Sequence, residues 1–220
     1  MQTSFIFAVE HYRGVLLGYV QTHQRKLNDA EQAFADARKY GADSPWLRNN
    51  EAELRDKLGQ QELAEKLYAE IAASPSTPSN AKSAALEWLQ KRYTYSDRYD
   101  LAASAYTRQI QLQPAAPWPK GNDAEFLRIY RLDLDQLERH AREALALMDY
   151  GMASRSVALT LYLEWADALA ARQNVRADQL FAEATALGVA LPEVVKELAY
   201  WEKRASASTH YRALPIRQRR

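Results

Sequence analysis

The 220 residues include no cysteine, which excludes disulfides, zinc–thiolate sites and thiol nucleophiles. It leaves the redox compartment open, because a chain without thiols is at ease in either environment. Only seven glycines and eight prolines are present, few for a protein of many turns. The chain has no phosphate-cradling glycine loop and no G-x-S-x-G elbow, and it is short of the glycines such turns need. No apolar run approaches the length of a membrane-spanning helix. The first residues, MQTSFIFAVEHYRG, lack a basic n-region, and Glu10 interrupts the apolar run early, so they make a poor signal peptide. The expected compartment is the cytoplasm, or the periplasm should an export signal or preceding segment be missing from these residues.

A large excess of one charge is also absent. The formal net charge of +1 argues against a protein whose main task is neutralising phosphate. The charge is uneven, since six Lys/Arg and no acid follow Glu202, leaving the residues before Lys203 at −5. The four histidines (His11, His23, His140, His210) form no HExxH or His-x3-His pair, and none has a Glu three residues before it. Neither a zinc nor a di-iron pattern is therefore present. Carboxylate pairs such as Asp133/Asp135 read as caps or solvated faces. With no catalytic constellation, the chain is expected not to be an enzyme and to carry no metal or cofactor.

What remains is a helical composition: 47% hydrophobic, 26% charged, and rich in Ala, Leu, Glu, Gln and Arg, which lose little side-chain freedom on a helix. Period-3.6 patterning runs through most of the chain, and period-two alternation is absent, so the expected fold is all-α. The spacing predicts helices over about 3–21, 28–40, 45–58, 61–73, 81–95 and 97–113. Others follow at about 122–133, 136–149, 154–172, 175–187 and 192–204. Asn28 with Glu31, and Asn122 with Glu125, have capping-box spacing. Gly41 and Gly188 are placed to close helices in the left-handed conformation. "SPSTPSN" (74–80) and "PAAPWPKGN" (114–122) read as breakers. Short connections imply antiparallel hairpins.

Two stretches repeat. Ala30, Phe34 and Ala37 fall opposite Ala64, Tyr68 and Ile71 at a constant offset of 34 residues, a period typical of stacked helix pairs. Leu17-Gly18 followed by Ala30-x3-Phe34 fits the pattern L-G, then A-x3-F. Leu86, Leu89, Tyr93, Ala102, Tyr106 and Pro114 fall in the same register. The fifth unit contributes Trp165, Ala177, Phe181 and Ala184. The second unit departs, with Arg48, Glu51 and Arg55 where apolar anchors are usual, and the fourth has Leu137, Ala141 and Ala144 in the small–aromatic–small series. Taking residues 30, 64, 102, 137 and 177 as markers, the spacings are 34, 38, 35 and 40. On these residues the chain resembles the tetratricopeptide repeat (TPR) family.

The resemblance implies a right-handed solenoid of antiparallel helix hairpins, about five units plus a C-terminal capping helix, over residues 1–204. Residues 205–220 are expected to be a basic, disordered tail. It also implies a scaffold or adaptor whose first helices line a groove. The groove-facing positions would be Tyr12, Val15, Tyr19, Trp46, Asn49, Glu53, Glu87, Lys91, Phe126, Ile129 and Tyr162. Family members that grip a chaperone's C-terminal carboxylate have Lys and Asn where this chain has Val15 and Tyr19, which argues against that ligand. An aromatic groove suits a peptide or helix of another protein. Phe5, Phe7 and Val9 belong to a first helix that is apolar on nearly every side, which is expected to support a homodimer. A place in a larger secretion, assembly or envelope complex is a second expectation. Nucleic acid or a membrane surface, reached through the basic tail, is the alternative of another class and is not the expected partner.

Overall fold

The computed structural model describes residues 2–130, 133–148, 151–196 and 199, with the side chains of 2–9, 11, 134 and 152 excepted. Phe5, Phe7 and Val9 thus lie outside the described side chains, and the tail lies outside the described residues. The protein is all-α, and no strand occurs among the described residues. The helices bounded among the described residues are α1 Gln2–His23, α2 Leu27–Lys39, α3 Pro45–Lys57, α4 Gln61–Ala73, α5 Ser79–Tyr95, α6 Tyr99–Leu112, α7 Pro117–Tyr130, α8 Leu134–Leu147, α9 Gly151–Ala170 and α10 Asn174–Ala186. Residues 191–196 are helical as well. None of these helices is long and apolar enough to cross a membrane.

The chain divides into two compact units, residues 1–112 and 113–220. In the first, helices pack in chain order from α1 to α6, and the first helices of successive pairs also touch, α1 on α3 and α3 on α5. Its core has two clusters. Val15, Phe34 and Leu54 belong to one, and Tyr68, Leu86 and Leu89 to the other. In the second unit α7 packs on α8, α8 on α9 and α9 on α10, with α7 also on α9. Its core gathers Val157, Leu161, Tyr162 and Val194.

The five marker residues are all fully buried: Ala30, Ala64, Ala102, Leu137 and Ala177 each show 0% exposure. The four alanines let the two helices of their pairs approach closely, and Leu137 fills the same position in the fourth pair. Glycine extends this in α1, where a Cβ on Gly18 would stand 2.4 Å from the Phe34 ring.

One turn recurs. Arg25, Gly59, Asp97 and Arg172 all have positive φ, between 57° and 75°, and each lies five residues before its marker. The surrounding hydrogen bonds match: Lys26 N–H to Gln21 C=O, Gln60 N–H to Arg55 C=O, Arg98 N–H to Tyr93 C=O and Gln173 N–H to Ala168 C=O, each 2.9 Å. This is the Schellman arrangement, in which a left-handed residue lets the chain reverse while the last carbonyls of the first helix stay bonded.

Helix limits agree with the sequence to within three residues except at the start of α7. Both expected capping boxes are absent. The helix containing Asn28 begins at Leu27, and its N-terminus follows the Schellman turn with no side-chain cap. Glu31 instead meets Arg55 of α3 at 2.5 Å. Asn122 lies inside α7, which starts five residues earlier at Pro117. Proline is favourable in a first turn, where its missing N–H would have no partner, so "PAAPWPKGN" starts a helix as well as ending one. The side-chain caps observed are Ser44, accepting from Leu47 N–H at 3.1 Å, and Asp133, accepting from Gln136 N–H at 2.9 Å.

The unusual charges of α3 have a structural use. Arg38 of α2 meets Glu51 at 2.6 Å and Asp43 at 2.8 Å, and Arg48 meets Asp43 at 2.6 Å. The α2–α3 contact therefore has an ionic flank beside its apolar core. The Arg48 guanidinium, helped by Arg38, holds the Asp43 carboxyl at a pKa of about 2, below the usual carboxylate range.

Candidate functional site

Among the described residues, four of the seven exposed aromatic side chains, Tyr12, Tyr19, Trp46 and Tyr95, stand on α1, α3 and α5 of the first unit. On α1, Tyr12, Leu16, Tyr19 and His23 fall at spacings of four, three and four residues, which places them on one stripe. Tyr12 is 63% and Leu16 53% exposed. The opposite stripe, Gly14, Val15, Gly18 and Thr22, is buried against the neighbouring helices.

Tyr19 joins the first two pairs. Its ring centroid lies 4.3 Å from that of His23 and 6.0 Å from that of Trp46. His23 Nδ1 is 2.9 Å from the Tyr19 carbonyl oxygen; a carbonyl only accepts, so Nδ1 carries the hydrogen and donates. Nε2 then faces Glu53 at 3.7 Å, and Glu53 also receives Lys57 at 3.0 Å. Trp46 remains 41% exposed. Asn49 is half-buried beside it, and its Oδ1 has no hydrogen-bond partner.

On α5, Lys91 and Tyr95 are exposed, and Trp88 is half-buried and stacked on Tyr68 at 4.6 Å. Glu87 is exposed yet tethered from below. Gln109 Nε2 donates to its Oε1 at 3.1 Å, and Ser83 Oγ donates to the same oxygen at 3.4 Å. Gln109, fully buried, also donates to Ser83 Oγ at 3.1 Å and accepts from the buried Gln90 amide.

Of the expected groove residues, Tyr19, Trp46 and Glu53 are brought together through His23, while Tyr12, Glu87 and Lys91 are exposed and Asn49 half-buried on the same three helices. Val15 does not join them, because it is 1% exposed in the first core cluster. In the second unit Phe126 and Tyr162 are likewise core residues, and the Tyr162 hydroxyl donates to the Val189 carbonyl at 2.9 Å. Ile129 is half-buried. These three buried positions correct the expectation for a physical reason. A helix wedged between two neighbours exposes only a narrow stripe, so positions equivalent in the repeat, such as Val15, Asn49 and Glu87, range from buried to half-buried to exposed. Leu16, His23, Lys57, Trp88 and Tyr95 were missed. The repeat offset joins His23 to Lys57 and Tyr95, each seven residues before its marker, whereas Leu16 and Trp88 fall opposite Asn50, which is buried.

The second unit holds a different polar group. Asp123 is fully buried and accepts from His140 Nδ1 at 2.5 Å and Gln136 Nε2 at 3.2 Å, tying α7 to α8. Among the described residues no three His, Asp or Glu side chains are placed to hold a metal ion. Comparison with protein-family models finds no match, and comparison with curated proteins finds none either.

Proposed function

We propose that the protein is a non-catalytic TPR-like scaffold that binds a peptide or helical segment of another protein on the α1–α3–α5 face. The observation that carries this reading is the exposed stripe Tyr12–Leu16–Tyr19 continuing onto Trp46, with polar groups beside it. Solvent-facing aromatic groups gathered on one face mark interaction surfaces more often than isolated ones do. The repeat assignment, with about five units, a C-terminal capping helix and right-handed winding, belongs to the same proposal. It is supported by the Schellman turn that recurs at residues 25, 59, 97 and 172. Self-association through α1, membership of a larger assembly and a cytoplasmic location are further parts of the proposal without a supporting distance.

The test is a photo-crosslinker placed at Asn49, one turn from Trp46, and, as a control, at Lys66 of α4, an exposed residue off this face. In native lysate the Asn49 position should crosslink to a discrete protein, and the control should not. Equal crosslinking at both sites, or adducts only with nucleic acid, would overturn the reading.

A further inference from the structure

We infer that α1 is a self-association edge: a second copy of this chain lays its own α1 antiparallel along the stripe Arg13, Leu17, Val20 and Gln24. The inference rests on the repeat register proposed above and gives the self-association included there a geometry.

The stripe is singled out by what its equivalents do. Arg13, Leu17 and Val20 stand 17, 13 and 10 residues before the marker Ala30, and the same positions are Leu47, Glu51 and Leu54 on α3, and Ala85, Leu89 and Arg92 on α5. On α3 these positions pack against α2. Leu47 and Leu54 are buried in one cluster with Phe34 and Ala37, and Glu51 meets Arg38 at 2.6 Å. On α5 they pack against α4. Ala85 and Leu89 are buried in one cluster with Tyr68 and Ile71, and Arg92 meets Glu65 at 3.7 Å. Within this unit, α3 and α5 thus turn the stripe towards the pair before them.

On α1 no helix among the described residues covers it. Leu17 and Val20 are each 44% exposed, and Leu16 beside them is exposed as well. The edge of a helical array that meets only water carries a polar face, whereas α1 keeps leucine and valine where α3 and α5 stack. This edge is suited to a second helix.

The pattern of the stripe selects a second copy. Arg13, Leu17, Val20 and Gln24 read polar, apolar, apolar, polar from either end, and an isologous pair about a two-fold axis needs such self-complementarity. With the axis passing between positions 18 and 19, Leu17 of each copy meets Val20 of the other, and Arg13 meets Gln24. The two Arg13 side chains are then about 16 Å apart along the helices, beyond a screening length of about 8 Å. A parallel pair would put them side by side. Each Arg13 is also neutralised by Glu10 of its own helix at 3.3 Å, so no charge is stranded. Each member of the stripe follows Tyr12, Leu16, Tyr19 or His23 by one position, which sets it about 100° further round α1. The edge and the binding face can therefore be occupied together, and the dimer carries that face twice.

The experiment is sedimentation velocity of the full-length chain from about 1 to 200 μM. Wild type should pass from monomer to dimer with a midpoint in the micromolar range, because three helical turns make an interface smaller than the standard size. Leu17→Glu and Val20→Lys, each at an exposed position, should each weaken the dimer at least roughly tenfold with unchanged circular dichroism. An equal mixture of the two variants should dimerise again. Across the two-fold axis the introduced carboxylate faces the introduced ammonium, and the other Leu17–Val20 contact is intact. A wild type that stays monomeric throughout, as it would if the edge were meant for a different helix, overturns the inference. So does a dimer that survives both substitutions, or a mixture that remains monomeric. Each of these results leaves the binding face standing. A chain that dimerises as described but yields no adduct from the Asn49 crosslinker overturns the binding face alone.

Discussion

At the scale of single residues, the account makes claims that can be tested by small changes. Gly18 lets α1 meet Phe34, and a methyl group there would stand 2.4 Å from a ring that is itself 2% exposed. Gly18→Ala should therefore destabilise the protein by about 1–3 kcal/mol, read as a lower urea midpoint. Arg25 and Arg172 hold left-handed conformations, φ 59° and 57°, that disfavour any residue with a Cβ by about 1–2 kcal/mol. Arg25→Gly and Arg172→Gly should each raise the melting temperature, because the relief exceeds the added chain entropy of glycine. Asp43 gives a pH signature. Its folded pKa of about 2 lies below the unfolded value of about 3.9, so its contribution is present above about pH 4 and fades as pH falls towards 2. Wild type should be more stable than Asp43→Asn at pH 7, with the difference closing in that acid window. The group is largely exposed, so the difference will be modest.

At the scale of elements, most of the fold was legible in the sequence, and the misses share a cause. Apolar periodicity located each helix because burial of one stripe is what stabilises it. The markers Ala30, Ala64, Ala102, Leu137 and Ala177 were legible because each is a fully buried apolar packing position at a near-constant spacing. Caps were misread because a capping box is a local pattern, whereas the start of α2 is set by the Schellman turn before it. Ser44, with Pro45 in the first turn, was a readable signal that went unused. Ser44→Ala should destabilise by about 1 kcal/mol, whereas Asn28→Ala should fall within about 0.5 kcal/mol of wild type, as an exposed helical position does. Thermal melts of the two variants side by side check this. The candidate face was only half legible. Tyr12, Tyr19 and Trp46 followed from the repeat register, but the burial of Val15, Phe126 and Tyr162 depends on neighbouring helices that no local window contains. The tether from Gln109 to Glu87 joins residues 22 apart in sequence. Its one outward sign was a polar residue at a packing position.

At the scale of the whole molecule, the two compact units frame where binding should lie. The proposed face belongs wholly to residues 1–112, whose helices bury their own core clusters. Hairpin arrays draw their stability from nearest-neighbour contacts, so a fragment of residues 1–112 should remain helical and unfold cooperatively. The central claim is that Tyr19 and Trp46 form the hot spot of a protein-binding face. The most direct measurement is the dissociation constant of the crosslinked partner segment for wild type and for the Tyr19→Ala/Trp46→Ala double variant, with melting temperatures recorded alongside. Loss of both rings should weaken binding at least roughly tenfold while the melting temperature moves by no more than a few degrees. An unchanged dissociation constant in a folded double variant would contradict the account.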